Sequence, residues 1–357
     1  MKTIFISDVH MGINIRENWY QPSAHEKYLK SILKDIINNA EDVQDVIMLG
    51  DWFDTWVYPC RPKTQNSPEM PNITISKIID AHPNMFNRQK NNDGDFITCM
   101  DSIKGNLYFV NGNHDMGINC AELNNCLKDR CITGKKVECF DSNHKKNLIC
   151  VLNDIYAEHG HCYSVMNRPD RNGNEFPLGY FITRICSLHC KRELDKSGCS
   201  NASQLPHSGN PDKEEILKKL ISDIKNSSPH LAYDILNAFT ETIGYKPEDI
   251  IFDMPDGSSI DGYQVSTMYP NDDLFKTEKD LEDFYEVDCN NNLDNEGRRL
   301  CNSGHKIVIF GHTHKEELKS YGSNYYANSG YLCPPNPSKS KISHVYVEHN
   351  YPNLMNP

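Results

Sequence analysis

Val46-Ile47-Met48-Leu49 is an unbroken apolar run that stops at Gly50 and passes at once to the carboxylate of Asp51. So short and so apolar a run reads as a strand buried on both faces, which requires an α/β sheet covered by a layer on either side. An acid at the carboxyl end of such a strand points into the crevice where open α/β sheets hold their ligands. Alone, the Asp is as readily a loop cap. Repetition is what constrains the chain, because the same arrangement recurs four more times. Thr3 to Ser7 delivers Asp8-Val9-His10, and Leu107-Tyr108-Phe109-Val110 delivers Gly112-Asn113-His114-Asp115. Asn147 to Leu152, paired with Ile155-Tyr156-Ala157, delivers His159-Gly160-His161, and Lys306 to Phe310 delivers Gly311-His312-Thr313-His314.

In extended backbone, residues i and i+2 share a face, so Asp8 and His10 can close on one ion. Ser23-Ala24-His25-Glu26 has the form of a capping box ahead of Tyr28, Leu29, Ile32, Leu33, Ile36 and Ile37 at helical spacing, which makes the opening a βαβ unit. Residues 56–92, with Pro59, Pro62, Pro68, Pro71 and Pro83, read as a long loop with one short helix near the crevice mouth. Tyr325 to Gly330 and His344 to Val347 close the fold as strands. Between His161 and His305 the pattern changes to helices and polar loops. One helix is expected from Asn210-Pro211 through Ile216 to Ile224, a second from Ser228-Pro229 to Gly244, and a third from Thr277 through Leu281 to Tyr285. The Asn-rich tract 290–295 reads as a solvated loop. The expected organisation is a core of residues 1–161 and 305–349 with a mainly helical cap, 162–304, inserted in it.

The formal charge of -12 argues against a protein that coats nucleic acid. Residues 162–304 hold 15 Lys+Arg and 25 Asp+Glu, so they carry -10 of it. Met1-Lys2 leads straight into the first apolar run, which is too short for a signal segment, and no run approaches a membrane span of roughly 20 residues. A cytoplasmic location is expected, with export by a signal-less route left open. The 14 cysteines, dispersed over a large chain, read as reduced thiols.

Two divalent ions a few Å apart need a shared carboxylate, imidazoles and a neutral amide oxygen, and the five strand-end clusters contain all of these. The order D-x-H, G-D-x-x-D, G-N-H-D, H-G-H, G-H-T-H resembles the calcineurin-like metallophosphoesterases. That resemblance implies a two-layered β-sheet sandwich flanked by helices, with a dinuclear centre at the strand ends. It implies that Asp8, His10 and His314 hold the first metal, that Asp51 bridges, and that Asn113, His159 and His312 hold the second. Manganese is the first choice, with iron or zinc as alternatives. A hydroxide bridging the two metals is expected to attack phosphorus in line. His114 would protonate the leaving oxygen, oriented by Asp54. His161 would either touch the substrate phosphate or hydrogen-bond behind the ligands.

Departures narrow the branch. Thr55-Trp56 follows Asp54 where the Ser/Thr protein phosphatases have Arg-Gly, and residue 115 is Asp where they have Glu. Gly50 to Trp56 resembles the UDP-diacylglucosamine hydrolases, which have Arg in place of His114. Arg168, Arg171 and Arg184 follow the His-Gly-His motif and could bind a phosphate or leaving group, although solvated surface arginines are commoner. Cys186, His189, Cys190 and Cys199 match no standard zinc spacing and read as free thiols in a helix and loop. The acidic run 272–288 reads as a solvated helix and loop, with a docking face for a basic partner as the alternative.

The expected activity is hydrolysis of phosphate monoesters, on a small molecule, phosphopeptide or phosphoprotein, with the cap choosing the substrate. The alternatives are a phosphodiesterase or nucleotide-sugar pyrophosphate hydrolase, and a non-catalytic scaffold of the same fold. A nuclease is disfavoured by the acidic cap.

Overall fold

A computed structural model describes residues 1–57, 69–89, 93–140, 147–169, 177–212, 216, 242–246, 248–253, 259–263 and 277–357. Strands β1 (Lys2–Ile6) and β2 (Val43–Leu49) flank helix α1 (Pro22–Asn38) and pair in parallel. Helices α2 (Glu69–Ala81), α3 (Pro83–Phe86) and α4 (Phe96–Ser102) lead to β3 (Leu107–Val110), followed by α5 (Cys120–Leu127) and β4 (Val137–Glu138). A hairpin of β5 (Ile149–Leu152) and β6 (Ile155–Glu158) precedes the long α6 (Leu178–Ser197) and a second hairpin, β7 (Ile250–Asp253) with β8 (Ser259–Asp261). Helix α7 (Glu278–Asp283) runs on into a π-helical turn, Phe284–Cys289, and α8 (Asp294–Asn302) follows. The chain ends with β9 (Ile307–Phe310), β10 (Glu317–Tyr321), β11 (Asn324–Asn328), β12 (His344–Glu348) and β13 (Tyr351–Met355).

Alternation along the buried strands sorts the side chains into layers. The six-stranded sheet has the order β13-β12-β1-β2-β3-β4 and the five-stranded sheet the order β10-β11-β9-β6-β5. Phe5, Ile47 and Leu49 from the first sheet meet Ala157, Ile307, Ile309 and Ala327 from the second. Ile4, Ile6, Val46 and Met48, one residue out of phase, face α1, α2, α4 and α5 through Leu29, Ile32, Ile78, Phe96 and Leu123. On the far side, Val308, Phe310 and Tyr326 pack against Leu300 and Cys301 of α8. This is the expected sandwich of two sheets flanked by helices. A separate core in the insert, built on Tyr180, Phe181 and Ile185 of α6, takes in Trp56 from the loop after β2.

Several local expectations need correction. Helix α1 is capped at Gln21, with Pro22 in its first position and no Ser23–Glu26 box; the Gln21 N–H donates to His25 Nδ1 at 2.9 Å. Pro at the first helical position lacks only an amide that has no intrahelical partner there. The same reasoning explains why 56–92 is not a loop with one helix. Pro71 and Pro83 fall in the first turns of α2 and α3, where proline starts helices and does not break them. Pro59, Pro62 and Pro68 lie outside the described residues. Helix α4 was hidden in the sequence by its seven-residue length; Asp95 caps it, Oδ1 accepting the Thr98 N–H at 2.7 Å.

In the insert, the two expected helices over 210–244 lie mostly outside the described residues. Asn210 to Asp212 are not helical, Ile216 is, and the second helix ends at a left-handed Gly244. The helix from Thr277 to Tyr285 is α7 and the start of the π turn. The tract 290–295 is a turn and loop whose last two residues already begin α8. Not all thiols are reduced, because Cys120 and Cys139 form a disulfide. Asn124 on α5 bonds the backbone of Val137 in both directions, at 2.8 Å each, and this brings the start of α5 beside the end of β4. The 11 other described cysteines are free, including Cys186, Cys190 and Cys199.

Candidate metal centre

Each strand stops just short of its polar residues, and the backbone then turns over. Asp8, His10, Asp51, His312 and His314 all have φ between 51° and 68°. Left-handed backbone in non-glycine residues costs on the order of 1 kcal/mol or more apiece and gathers at functional sites. Asp8 and His10 therefore meet through two left-handed turns, and not along an extended strand as i, i+2 spacing suggests. Gly50 (φ 77°) makes the turn before Asp51, and a Cβ on it would lie 2.5 Å from the His159 ring. A Cβ on Gly112 would lie 2.2 Å from Asp51 Oδ1, so that glycine lets the β3 loop close onto the β2 loop.

Two triads result. Asp8, His10 and His314 can each offer a donor atom, all within 4.8 Å of one another, and so can Asp51, His159 and His312. His10, Asp51 and His114 form a third such group. Asp51 Oδ2 stands between the first two triads, 3.1 Å from His159 Nε2 and 3.7 Å from His10 Nε2. His159 Nδ1 lies 3.1 Å from the Leu49 carbonyl, so it donates there and leaves Nε2 turned to the carboxylates. Asn113 Oδ1 and His10 Nδ1 are buried without a hydrogen-bond partner. Orphaned buried acceptors of this kind call for an ion or other ligand.

Charge makes the same demand. Asp8, Asp51 and Asp54 are all buried, and among the described residues neither lysine nor arginine pairs with any of them. A buried carboxylate without a counter-charge is costly, so the cations must be protons on imidazoles or bound metal. Burial opposes the charging of His159, yet Asp51 and Asp8 outweigh it and push that imidazole up to about 9. Burial likewise opposes the ionised Asp51 and Asp54, but the facing histidines hold both below the usual carboxylate range. A donor set of carboxylate and imidazole, with one amide oxygen at hand, suits divalent ions.

His114 lies beside the triads. Its ring stacks on Trp56 at 4.1 Å and 28°, and its Nδ1 is 3.2 Å from Asp54 Oδ1. Burial lowers its affinity for a proton, but Asp54 and Asp51 outweigh burial and the imidazole is raised. Asp54 Oδ1 also accepts the Trp56 and Val57 N–H groups at 2.9 and 3.0 Å. His161 is buried, its ring 5.7 Å from His159, and burial with the neighbouring His159 drops it to about 3. Arg168 pairs with Asp280 at 2.7 Å within the insert. Arg184 is buried on α6 and donates to the carbonyls of Trp56 and Val57. Arg171 lies outside the described residues.

Sequence reasoning passed over the aromatic frame and the supports. Trp19, half-buried, sits 4.7 Å from His10 and 5.2 Å from His114. Tyr331 stacks flat on His314 at 4.0 Å and 4°. Ser7 Oγ donates to Asp8 Oδ2 and meets Ser329 Oγ. Asp115 accepts from Gly112 at 2.6 Å and Trp52 at 2.9 Å, clamping the β2 and β3 loops together. The adjacency of Trp56 to Asp54 was a legible signal; nothing in the sequence places Tyr331 or Ser329 against the histidines.

No curated protein matches the chain. Among solved structures, an archaeal phosphodiesterase is similar over 100% of both chains at 10% identity and a TM-score of 0.34. A dimetal phosphatase from Danio rerio is similar over 100% of this chain and 98% of its own, at 11% identity and a TM-score of 0.37. The sequence profile described as calcineurin-like phosphoesterase matches residues 1–180 of the 357. That span runs from β1 into α6 and covers every strand-end cluster except the last, so the chain belongs to the calcineurin-like phosphoesterase family.

Proposed function

We propose that the chain hydrolyses phosphate monoesters with two divalent ions, manganese first among them. Asp8, His10 and His314 would hold one ion, Asn113, His159 and His312 the other, with Asp51 between them. When bound, such ions supply positive charge that acidifies a water at neutral pH and offsets charge on the phosphoryl oxygens. The observation that carries the reading is the group of three buried carboxylates, Asp8, Asp51 and Asp54, faced by imidazoles and, among the described residues, by no lysine or arginine.

The chain's own residues take the remaining roles. Asp54 keeps the His114 imidazole charged and the Trp56 face fixes its plane, so His114 can give a proton to the departing oxygen. His161, neutral and buried, would supply a hydrogen bond to a phosphoryl oxygen. Arg184 acts through the Trp56 turn, and Arg168 through the insert, which we take to be a cap that chooses the substrate. We favour a cytoplasmic setting because 11 described cysteines remain thiols, with the Cys120–Cys139 bond as the contrary observation. No helix among the described residues is long and apolar enough to cross a membrane.

The test is hydrolysis of para-nitrophenyl phosphate against its bis-ester by the manganese-loaded protein. A preference for the monoester is expected. Faster turnover of the bis-ester would make the chain a phosphodiesterase, and no turnover of either by protein with two ions bound would make it a scaffold.

A further inference from the structure

A cavity of about 350 Å³ opens beside the first triad, lined by His314, Lys315, Tyr331, Pro334, Ser340 and Lys341, with Glu316 and Gly330 completing it. It lies between two loops that bring two lysines, Lys315 and Lys341, against one carboxylate, Glu316. In a chain of net charge -12 this is a local excess of positive charge. Lys341 Nζ is 2.7 Å from Glu316 Oε1, so that one pair is satisfied. Lys315 directly follows His314, is exposed, and forms no ion pair among the described residues. His314 forms part of the wall between the triad and the cavity, its ring stacked on Tyr331. His314 thus belongs both to the triad and to the cavity, and Lys315 is the lining lysine without a paired carboxylate among the described residues.

We propose that this cavity is an anion subsite, and that the molecule recognised carries a second phosphate on the part that is not transferred. Lysine suits the role as a flexible point charge that binds phosphate without a fixed fork geometry. The cavity is large enough for a phosphate together with part of the carbon skeleton bearing it. The inference rests on the proposed function only in placing the first phosphoryl group at Asp8, His10 and His314.

The test is equilibrium binding by calorimetry to the metal-loaded full chain, which needs no turnover. The probes are propane-1,3-, butane-1,4- and pentane-1,5-diphosphonate, each compared with the alkyl monophosphonate of the same length. At least one diphosphonate is expected to bind tenfold or more tightly than its monophosphonate. The double variant Lys315→Met/Lys341→Met should bring that ratio to about one, with metal content checked in each protein. Both lysines are surface side chains, so folding is not at stake. Lys104→Met, a remote lysine paired with Glu41, is the control for loss of one charge. No advantage at any spacing, or an advantage that survives the double variant, overturns the subsite. If para-nitrophenyl phosphate is not hydrolysed while the diphosphonate advantage is present and lysine-dependent, the functional reading fails and the subsite stands.

Discussion

Asp51 stands between the two triads. It sits at left-handed φ, faces His159 and His10 with Oδ2, and accepts the His114 backbone N–H with Oδ1 at 2.8 Å. Asp51→Asn keeps the shape and removes the charge, so both ions should bind more weakly. The loss of kcat/KM should exceed the roughly 10- to 100-fold typical of residues that only support ligands. Metal analysis after dialysis should show less than two ions per chain; full occupancy with full activity would refute the shared role. His114 gives the complementary case. If it donates a proton from outside the ligand set, His114→Ala should keep its metal and lose roughly 10²- to 10⁴-fold in rate. An alkyl phosphate should suffer more than para-nitrophenyl phosphate, whose leaving group departs unaided. Because His114 also lies within ligand reach of His10 and Asp51, loss of an ion from the variant would reassign it as a ligand.

At the scale of elements, the loops after β2 and β3 form one unit, joined by Asp115 together with the bonds of Asp51 and Thr55 to the His114 backbone. The Asp115 carboxylate is pushed up to about 7, by burial first and by Asp51 next, and it accepts the N–H groups of Gly112, Trp52 and Phe53. Asp115→Ala leaves these buried donors unpaired, and each such loss costs about 1–3 kcal/mol. We expect stability to fall by about 3 kcal/mol or more, read from the urea midpoint of metal-free protein, and metal affinity to fall with it. An unchanged midpoint would mean that water replaces the clamp. These loops were legible in sequence because apolar strands are short and their polar ends abrupt: Val46 to Leu49 and Leu107 to Val110 lie within β2 and β3. What stayed hidden depends on tertiary context. The left-handed turns at Asp8 and His10 leave no mark in residue type, since neither is glycine. The two-residue β4 has no periodicity to read, and its only support is pairing with β3. Strand β10, with alternately exposed residues at a sheet edge, and β13, which contains Pro352, lack the apolar run that announced the central strands. Helix α8 was obscured by the asparagines before it. Its position on β9 and β11 also means that an excision of the insert should stop before Asp294, or the second sheet loses its cover.

For the molecule as a whole, the buried titratable groups predict how stability responds to pH. His344, at the start of β12, is buried with Nδ1 unpartnered, and burial pulls it down to about 4. Burial lowers His25 and His82 as well. His25 is held neutral by accepting the Gln21 N–H on Nδ1 while Nε2 donates to the Pro334 carbonyl at 3.0 Å. In the unfolded chain these imidazoles take up a proton near 6.5. Below that value the unfolded state binds more protons than the folded one, so their contribution is complete above pH 6.5 and drains away as pH falls toward 4. Glu158 acts in the opposite sense. Burial raises it to about 7 against the hydrogen bonds from Tyr163 and Tyr156, so its contribution is complete below about 4 and is lost as pH rises to 7. Over the same window the two effects oppose each other, and the wild-type profile alone cannot identify either one. Single variants separate them. The stability of wild type relative to His344→Gln should increase between pH 4 and 6.5 by up to about 3 kcal/mol and then level off. Relative to Glu158→Gln it should decrease between pH 4 and 7. Urea denaturation of the chelator-treated proteins at half-unit pH steps measures both differences, and a His344→Gln difference that is flat across the window, or that falls as pH rises, would show that His344 takes up its proton in the folded protein as readily as in the unfolded chain.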